Sequence, residues 1–153
     1  MNKYDCYLAA PFFTPEQIQR LELIETELRK RFIVYSPSKE LFLTPGEFHS
    51  KEKRQQVLKA NFDAIKNSKF VVCITDDRDL GSLLEAGYAI AKRKPIIYVA
   101  LTLGDKPFNL MLSETATAVA KTIEDFIKIL DLIKRCGIKS KHLDYYKYSG
   151  KIE

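Results

Sequence analysis

Glu85 is the residue whose type and position best suit chemistry in this sequence. It lies in the segment 79–88, directly after the apolar stretch Phe70–Ile74, so a helix that begins at the carboxyl end of a strand carries it. Open α/β sheets bind their ligands at that edge. The positive end of a helix dipole keeps a nearby carboxylate ionised, and the ionised form is the one that attacks as a nucleophile. Tyr7, in the first predicted strand, offers a hydroxyl that could orient it.

A purely structural role for Glu85 is also open. Ser82 and Glu85 have the spacing of a capping box, in which the glutamate only returns a hydrogen bond to the start of its own helix. Gly81 permits a tight turn from strand to helix. Gly87 costs a helix about 1 kcal/mol relative to alanine, which predicts that another group packs closely against the helix there.

Three other segments carry groups that could contact a ligand. Phe12 and Phe13 follow a predicted strand and could line a slot for a planar ring, although adjacent aromatics at a strand end also suit a core. Asp63 lies on a predicted helix over 51–67 and could equally be a solvated surface residue. Asn109 and Met111 belong to an ordinary turn into a short helix.

The sequence lacks the motifs of several common site classes. His49 and His142 are isolated, and neither a Cys-x-x-Cys nor a His-x-x-His pattern occurs, so we predict no metal site. Glycine-rich phosphate loops and a Gly-x-Ser-x-Gly nucleophile motif are also missing, and no cofactor is predicted. Once these classes of site are excluded, a site in which carboxylates perform the chemistry remains.

Length and composition predict one domain over residues 1–153. The chain is 46% hydrophobic and 29% charged, and none of its apolar runs approaches the roughly 18 to 20 residues of a membrane helix. The N-terminus does not resemble a signal peptide. Cys6, Cys73 and Cys136 are odd in number and widely spaced, which favours reduced thiols. We therefore expect a cytoplasmic protein without a membrane partner.

The net charge of +5 is concentrated at the C-terminal end. Residues 134–153 contain six lysines and arginines against two acidic residues, which accounts for +4 of the total. The basic, tyrosine-rich tail over about 138–153 could contact single-stranded nucleic acid. A solvated or subunit-contacting tail explains it more simply, so we predict no nucleic-acid partner.

Apolar runs and helical patterns alternate along the chain. This alternation predicts a single-domain, doubly wound α/β fold of the flavodoxin-like or Rossmann-like kind, with a parallel sheet of about five strands flanked by helices. Strands are expected at 4–9, 32–35, 70–75, 95–100 and 116–120, and helices at 16–31, 51–67, 82–92 and 122–135. The segment 36–50, with two prolines and Gly46, is predicted to be a long functional loop.

Taken together, four motifs in order resemble those of the nucleoside 2-deoxyribosyltransferase family. They span most of the chain, and their joint order and spacing are much more specific than any one of them. The motifs are Tyr7-Leu-Ala-Ala-Pro-Phe-Phe13, Asn61-Phe-Asp63, Asp79 to Tyr88 with Glu85-Ala-Gly-Tyr88, and Asn109-Leu-Met111.

The resemblance implies a role for each matching residue. Glu85 would be the nucleophile and Tyr7 would hold it in place. Asp79 would bind sugar hydroxyls, and Asp63 would assist proton transfer to the base. Asn109 would reach into a neighbouring subunit's site to bind the sugar, and Met111 would line that shared site.

The implied reaction exchanges the base of a 2'-deoxynucleoside through a covalent 2-deoxyribosyl-glutamate intermediate, with retained configuration. Its partners would be 2'-deoxynucleosides and free purine or pyrimidine bases. A homo-oligomer is expected, a hexamer built from dimers, with Asn109 completing a neighbour's site. Glu40 and Phe48, in the loop 36–50, are candidates for contacts to the base.

Two other functions remain open at this point. A related hydrolase would cleave a 2'-deoxynucleoside 5'-monophosphate with water and would need a phosphate site, whereas the segment after the first strand is apolar. A non-catalytic nucleotide-binding module would use Glu85 only as a helix cap.

Overall fold

The computed structural model describes residues 2–40, 43–44 and 46–153. Within these residues, five strands and six α-helices follow one another, and a 3₁₀ helix over Lys141–Tyr146 comes after them. In chain order the elements are β1 Tyr4–Ala9, α1 Pro15–Arg29, β2 Val34–Tyr35, α2 Pro37–Glu40, α3 Lys51–Lys66, β3 Ser68–Ile74, α4 Leu80–Ala91, β4 Ile96–Val99, α5 Leu110–Thr115, β5 Ala118–Ala120 and α6 Ile123–Cys136.

The five strands form one parallel sheet in the order β2-β1-β3-β4-β5. The strands are continuous apolar runs because helices cover both faces of the sheet. Alternate residues of each strand contact opposite layers. Cys6 and Leu8 pack on one face, with α1 and α6, whereas Tyr7 and Ala9 pack on the other, with α3 and α4. This confirms the predicted doubly wound α/β fold.

The strand order places a ligand site. After β1 the chain turns outward to β2, whereas β3 lies on the opposite side of β1, so the connections diverge between β1 and β3. Such a switch point leaves a crevice at the carboxyl ends of the strands. Segments that follow β1, β2 and β3 all begin at this edge.

The segment predicted as the loop 36–50 is partly helical. Pro37–Glu40 forms the one-turn helix α2, and Ser50 caps α3 by accepting a hydrogen bond from the backbone N–H of Lys53. Positions 41, 42 and 45 of the predicted loop lie outside the described residues.

The C-terminal residues return to the sheet's carboxyl edge. Ile152 forms a bridge with Phe108, and the Phe108 N–H donates to the Lys151 carbonyl over 2.8 Å. Across the described part of the chain, no helix combines the length and apolarity needed to cross a bilayer.

Candidate active site

A cleft of about 390 Å³ opens at the switch point. Four parts of the chain form its walls, namely the turn after β1, the segment between β2 and α3, one face of α3, and the start of α4. The lining residues are Ala10–Phe13, Pro37, Leu43, Thr44, Gly46, Glu47, His49, Val57, Asn61, Asp79, Gly81, Ser82 and Glu85.

Glu85 and Tyr7 meet at the floor of this cleft. Tyr7 is fully buried in β1, and its hydroxyl donates a hydrogen bond to Oε2 of Glu85 in α4. The Tyr7 ring is stacked on Tyr35 of β2, with centroids 5.5 Å apart and planes 12° apart. Two strands and a helix therefore position the carboxylate in the lining of the cleft.

Glu85 does not cap its own helix. The residue that caps α4 is Asp79, whose Oδ2 accepts from the backbone N–H and the hydroxyl of Ser82, each over 2.8 Å. The capping-box interpretation of Ser82 and Glu85 is therefore wrong, because the helix begins three residues earlier than that motif requires. The expected close packing at Gly87 is also not seen, since no described atom lies within 4 Å of a Cβ built there.

Burial changes the acidity of Glu85. Desolvation in the cleft raises the pKa of its carboxyl to about 8, since the charged form loses hydration. The hydrogen bond from Tyr7 acts in the opposite direction, because a hydroxyl donor stabilises the carboxylate. The helix dipole therefore does not keep Glu85 ionised at neutral pH as the sequence suggested, and only the ionised fraction, held by the Tyr7 donor, can act as a nucleophile.

The Tyr7→Phe variant tests this balance. A reaction that needs the Glu85 carboxylate should have a kcat/KM whose acid limb rises with pH to an inflection at about 8. Removing the Tyr7 hydroxyl should move this inflection to higher pH and lower the rate at neutral pH by roughly 10- to 100-fold. The measurement is kcat/KM from pH 5 to 10 for both proteins. An unchanged inflection with a lower plateau would show that Tyr7 only shapes the cleft.

The structure does not bring Asp63 to the cleft. Its side chain is 41% exposed on α3, where it bonds to Lys59 over 2.6 Å and to Lys66 over 3.4 Å. The hydrogen bond from Lys59, with that from Lys66, lowers the pKa of Asp63. A proton donor needs the opposite shift, so the assignment of proton transfer to Asp63 is corrected.

Asn61 faces the cleft in place of Asp63. It lies on α3 one turn after Val57, another lining residue, and its Oδ1 accepts from the Tyr35 hydroxyl over 3.4 Å. Its amide N–H groups can then donate to a ligand. Sequence analysis quoted Asn61 only as part of a motif and missed Tyr35. The signal that could have separated the two positions is the i, i+4 pair Lys59 and Asp63, which marks a solvated face.

The two adjacent phenylalanines line the cleft as predicted from their position. The Phe12 and Phe13 rings stack with centroids 5.3 Å apart, and Phe13 is 56% exposed at the cleft mouth. Phe12 also packs against the core. The loop candidates Glu40 and Phe48 do not line the cleft, and both are exposed. The residues of that loop that line the cleft, none of which sequence analysis assigned to the site, are Pro37, Leu43, Thr44, Gly46, Glu47 and His49.

Asn109 and Met111 lie outside this chain's own cleft. Asn109 caps α5, and its Oδ1 accepts from the backbone N–H groups of Met111 and Leu112 over 2.9 and 3.2 Å. Met111 is 69% exposed. Asn109 borders a separate cavity of about 130 Å³ that Arg78 and Lys106 also line. Asn109 therefore does not line the cleft of its own chain.

Metal binding is not indicated. Over residues 2–40, 43–44 and 46–153, no group of three or more His, Cys, Asp or Glu side chains is placed to hold an ion. The chemistry available in the cleft is that of Glu85, Asp79, Glu47 and His49.

Comparisons with known proteins identify relatives of this fold and site. The chain is similar to a 2-deoxyribosyltransferase of Bacillus psychrosaccharolyticus, with 30% identity and a TM-score of 0.69 over 79% of this chain and 88% of that one. Two further structures show likeness in fold alone. They are a CMP N-glycosidase of Clostridium botulinum (20% identity, TM-score 0.55, 84% and 98% covered) and a conserved protein of Enterococcus faecalis V583 (15%, 0.56, 97% and 89%).

Comparison with curated protein sequences gave no significant match. The family model described as "Nucleoside 2-deoxyribosyltransferase" matches residues 6–132, which include β1, the cleft and most of α6. With the predicted motifs lying inside the matched residues, the chain belongs to the nucleoside 2-deoxyribosyltransferase family.

Proposed function

We propose that this protein transfers 2-deoxyribose between bases, by a double displacement through Glu85. The observation that carries the proposal is a partly buried carboxylate, held by Tyr7, in a cleft at the sheet's switch point. Glu85 attacks the anomeric carbon as the base leaves from the opposite face. A second base then attacks the 2-deoxyribosyl-Glu85 ester, so configuration is retained.

Other cleft residues position the substrate in this proposal. Asp79 uses only Oδ2 to cap α4, so its Oδ1 can accept from a sugar hydroxyl. Phe12 and Phe13 present aromatic surface at the mouth, where a base can stack. Asn61 offers amide donors to the base edge. Side chains perform every step, so no cofactor is invoked.

The charge of the cleft favours an unphosphorylated nucleoside over a 5'-monophosphate. Its titratable lining residues are Glu47, His49, Asp79 and Glu85, and the described lining contains no lysine or arginine. A phosphate is normally bound by such cations or by a helix N-terminus, and the start of α4 already has its own carboxylate cap. This charge pattern supports transferase over hydrolase. The non-catalytic alternative loses its main support because Asp79, not Glu85, caps the helix.

We also propose that the site is shared between subunits, as in a hexamer of dimers. Asn109 and the exposed Met111 lie beyond their own cleft and would complete a neighbour's. The Asn109 amide N–H groups would donate to the sugar.

The cytoplasm stays the predicted compartment, since Cys6, Cys73 and Cys136 are free thiols.

The direct test is base exchange. The purified protein is incubated with a pyrimidine 2'-deoxynucleoside, once with free adenine and once without it. The products are separated by chromatography. The proposal expects new 2'-deoxyadenosine that depends on adenine. Free sugar without exchange would indicate a hydrolase, and cleavage of only the 5'-monophosphate would assign a phosphate-bearing substrate.

A further inference from the structure

None of the side chains given a role so far can protonate the departing base. A purine or pyrimidine leaves as a poor anion unless it is protonated as its bond to the sugar breaks. Asp63 lies outside the cleft with its two lysines. Asn61, which faces the cleft in its place, is an amide and does not exchange protons as an acid does.

Two of the four ionisable side chains that line the cleft already have roles. Glu85 receives the hydrogen bond from Tyr7 and attacks the sugar in the proposed mechanism. Asp79 accepts two hydrogen bonds at the start of α4. Of the described lining residues that titrate, Glu47 and His49 are left, and Glu47 is exposed whereas His49 is partly buried.

His49 is held in one orientation. Its Nε2 lies 3.0 Å from the carbonyl oxygen of Thr44, which can only accept, so Nε2 carries a proton and donates it there. Nδ1 is therefore the ring nitrogen that is left for contact with a ligand. The next residue, Ser50, caps α3 through the Lys53 N–H, which anchors the backbone on the other side of the ring.

The place of His49 in the cleft suits contact with the base. It comes from the segment between β2 and α3, whereas Glu85 comes from α4. A displacement at the anomeric carbon requires the base to leave from the face opposite Glu85. Residues 43, 44, 46, 47 and 49, with Asn61 of α3, line cleft walls other than the one that carries Glu85.

We propose that His49 is the acid and base that moves the proton on the departing and incoming bases. This rests on the proposed transferase function. In the first step Glu85 bonds to the anomeric carbon, the bonding pair to the base stays on the base, and Nδ1–H of His49 gives that base a proton. In the second step Nδ1 takes the N–H proton of the incoming base, whose nitrogen attacks the anomeric carbon and returns the electron pair to Glu85.

The test compares two leaving groups that differ in their need for a proton. The substrates are 2'-deoxyguanosine and its N7-methylated form, whose base already carries a positive charge and departs without protonation. The variant is His49→Gln, because the glutamine amide can still donate to Thr44. The rate of base release in the first turnover is measured by rapid quenching. The rate of the uncatalysed reaction is subtracted. His142→Gln, in the 3₁₀ helix outside the cleft, is the matched control.

The expected result is a selective loss. His49→Gln should release guanine about 100-fold more slowly than wild type, the size of a general-acid contribution. Release of 7-methylguanine should stay within about threefold, because the step needs no proton. His142→Gln should match wild type on both substrates.

Several outcomes would overturn the role of His49. An equal loss on both substrates would make it a positioning residue, and no loss on either would remove it from the reaction. The selective loss appearing in Glu47→Gln instead would assign the proton to Glu47. A wild-type protein that releases neither base would overturn the transferase proposal and the His49 role together, whereas active wild type with an unselective variant would overturn His49 alone.

Discussion

Glu85→Ala is expected to lose base exchange by at least about 10⁴-fold, because it removes the only atom that bonds to the sugar in the proposed mechanism. Deoxyadenosine formation is measured by chromatography, as in the exchange assay. Acid-quenched wild-type protein should carry the mass of one 2-deoxyribosyl group on the peptide that contains Glu85. Exchange in the variant above about one hundredth of wild type would contradict a covalent role.

Folding must be shown to survive this substitution. Glu22→Ala is the matched control, since Glu22 is an exposed glutamate of α1, which packs on the other face of the sheet.

The pKa of Glu85 is raised when folded, so its contribution to stability is fully present below its unfolded pKa and is lost as pH rises towards about 8. Relative to wild type, Glu85→Ala should therefore become more stable between pH 5 and pH 8, as measured by denaturant unfolding.

The second large effect is expected at Asn109. Asn109→Asp keeps the cap of α5, because a carboxylate oxygen can accept from Met111 and Leu112 as the amide does. It removes the amide donors and should lower exchange on the order of 100-fold if they bind a neighbour's sugar. Glu85→Ala and Asn109→Asp would then be inactive for different reasons.

Mixing these two inactive proteins gives a sharp result. A heterodimer contains one site with both Glu85 and Asn109 and one site with neither, so random subunit exchange should restore about one quarter of wild-type activity. Light scattering should show an oligomer in every sample. Monomers, or a mixture that stays inactive after the subunits have exchanged, would show that Asn109 acts within its own chain or not at all.

Helix α3 illustrates what a sequence of this kind can and cannot predict. The apolar strands and the order of elements follow from patterns that leave few alternatives, whereas the pairing of Tyr7 with Glu85 was implied by the family resemblance. In α3, however, Asn61 and Asp63 are two residues apart, and only the helix rotation decides which one meets the ligand. The lysines at 59 and 66 turn Asp63 outward. The spacing of these lysines can be seen in the sequence, but the position of the cleft relative to the helix cannot.

The start of α4 and the loop before α3 were harder for a different reason. Asp79 and Ser82 are both good N-cap residues, and the backbone turn after β3 decides between them. The segment 36–50 has no periodicity from which contacts can be inferred. His49 was visible only as an isolated histidine, and the carbonyl of Thr44 that orients it is a backbone group that every residue has.

The stacked pair of Tyr7 and Tyr35 fixes the spacing of two groups in the cleft. One ring holds Glu85 and the other holds Asn61, and the two tyrosines are register partners on adjacent strands. The distance from the nucleophile to the amide is thus tied to the spacing of hydrogen-bonded strands, about 4.8 Å, which side-chain substitutions leave unchanged. Changes around the cleft can alter which base is preferred. In the proposed mechanism the backbone therefore limits the reach from the anomeric carbon to the base edge, and substrates with a longer link between sugar and ring should be exchanged more slowly than 2'-deoxynucleosides.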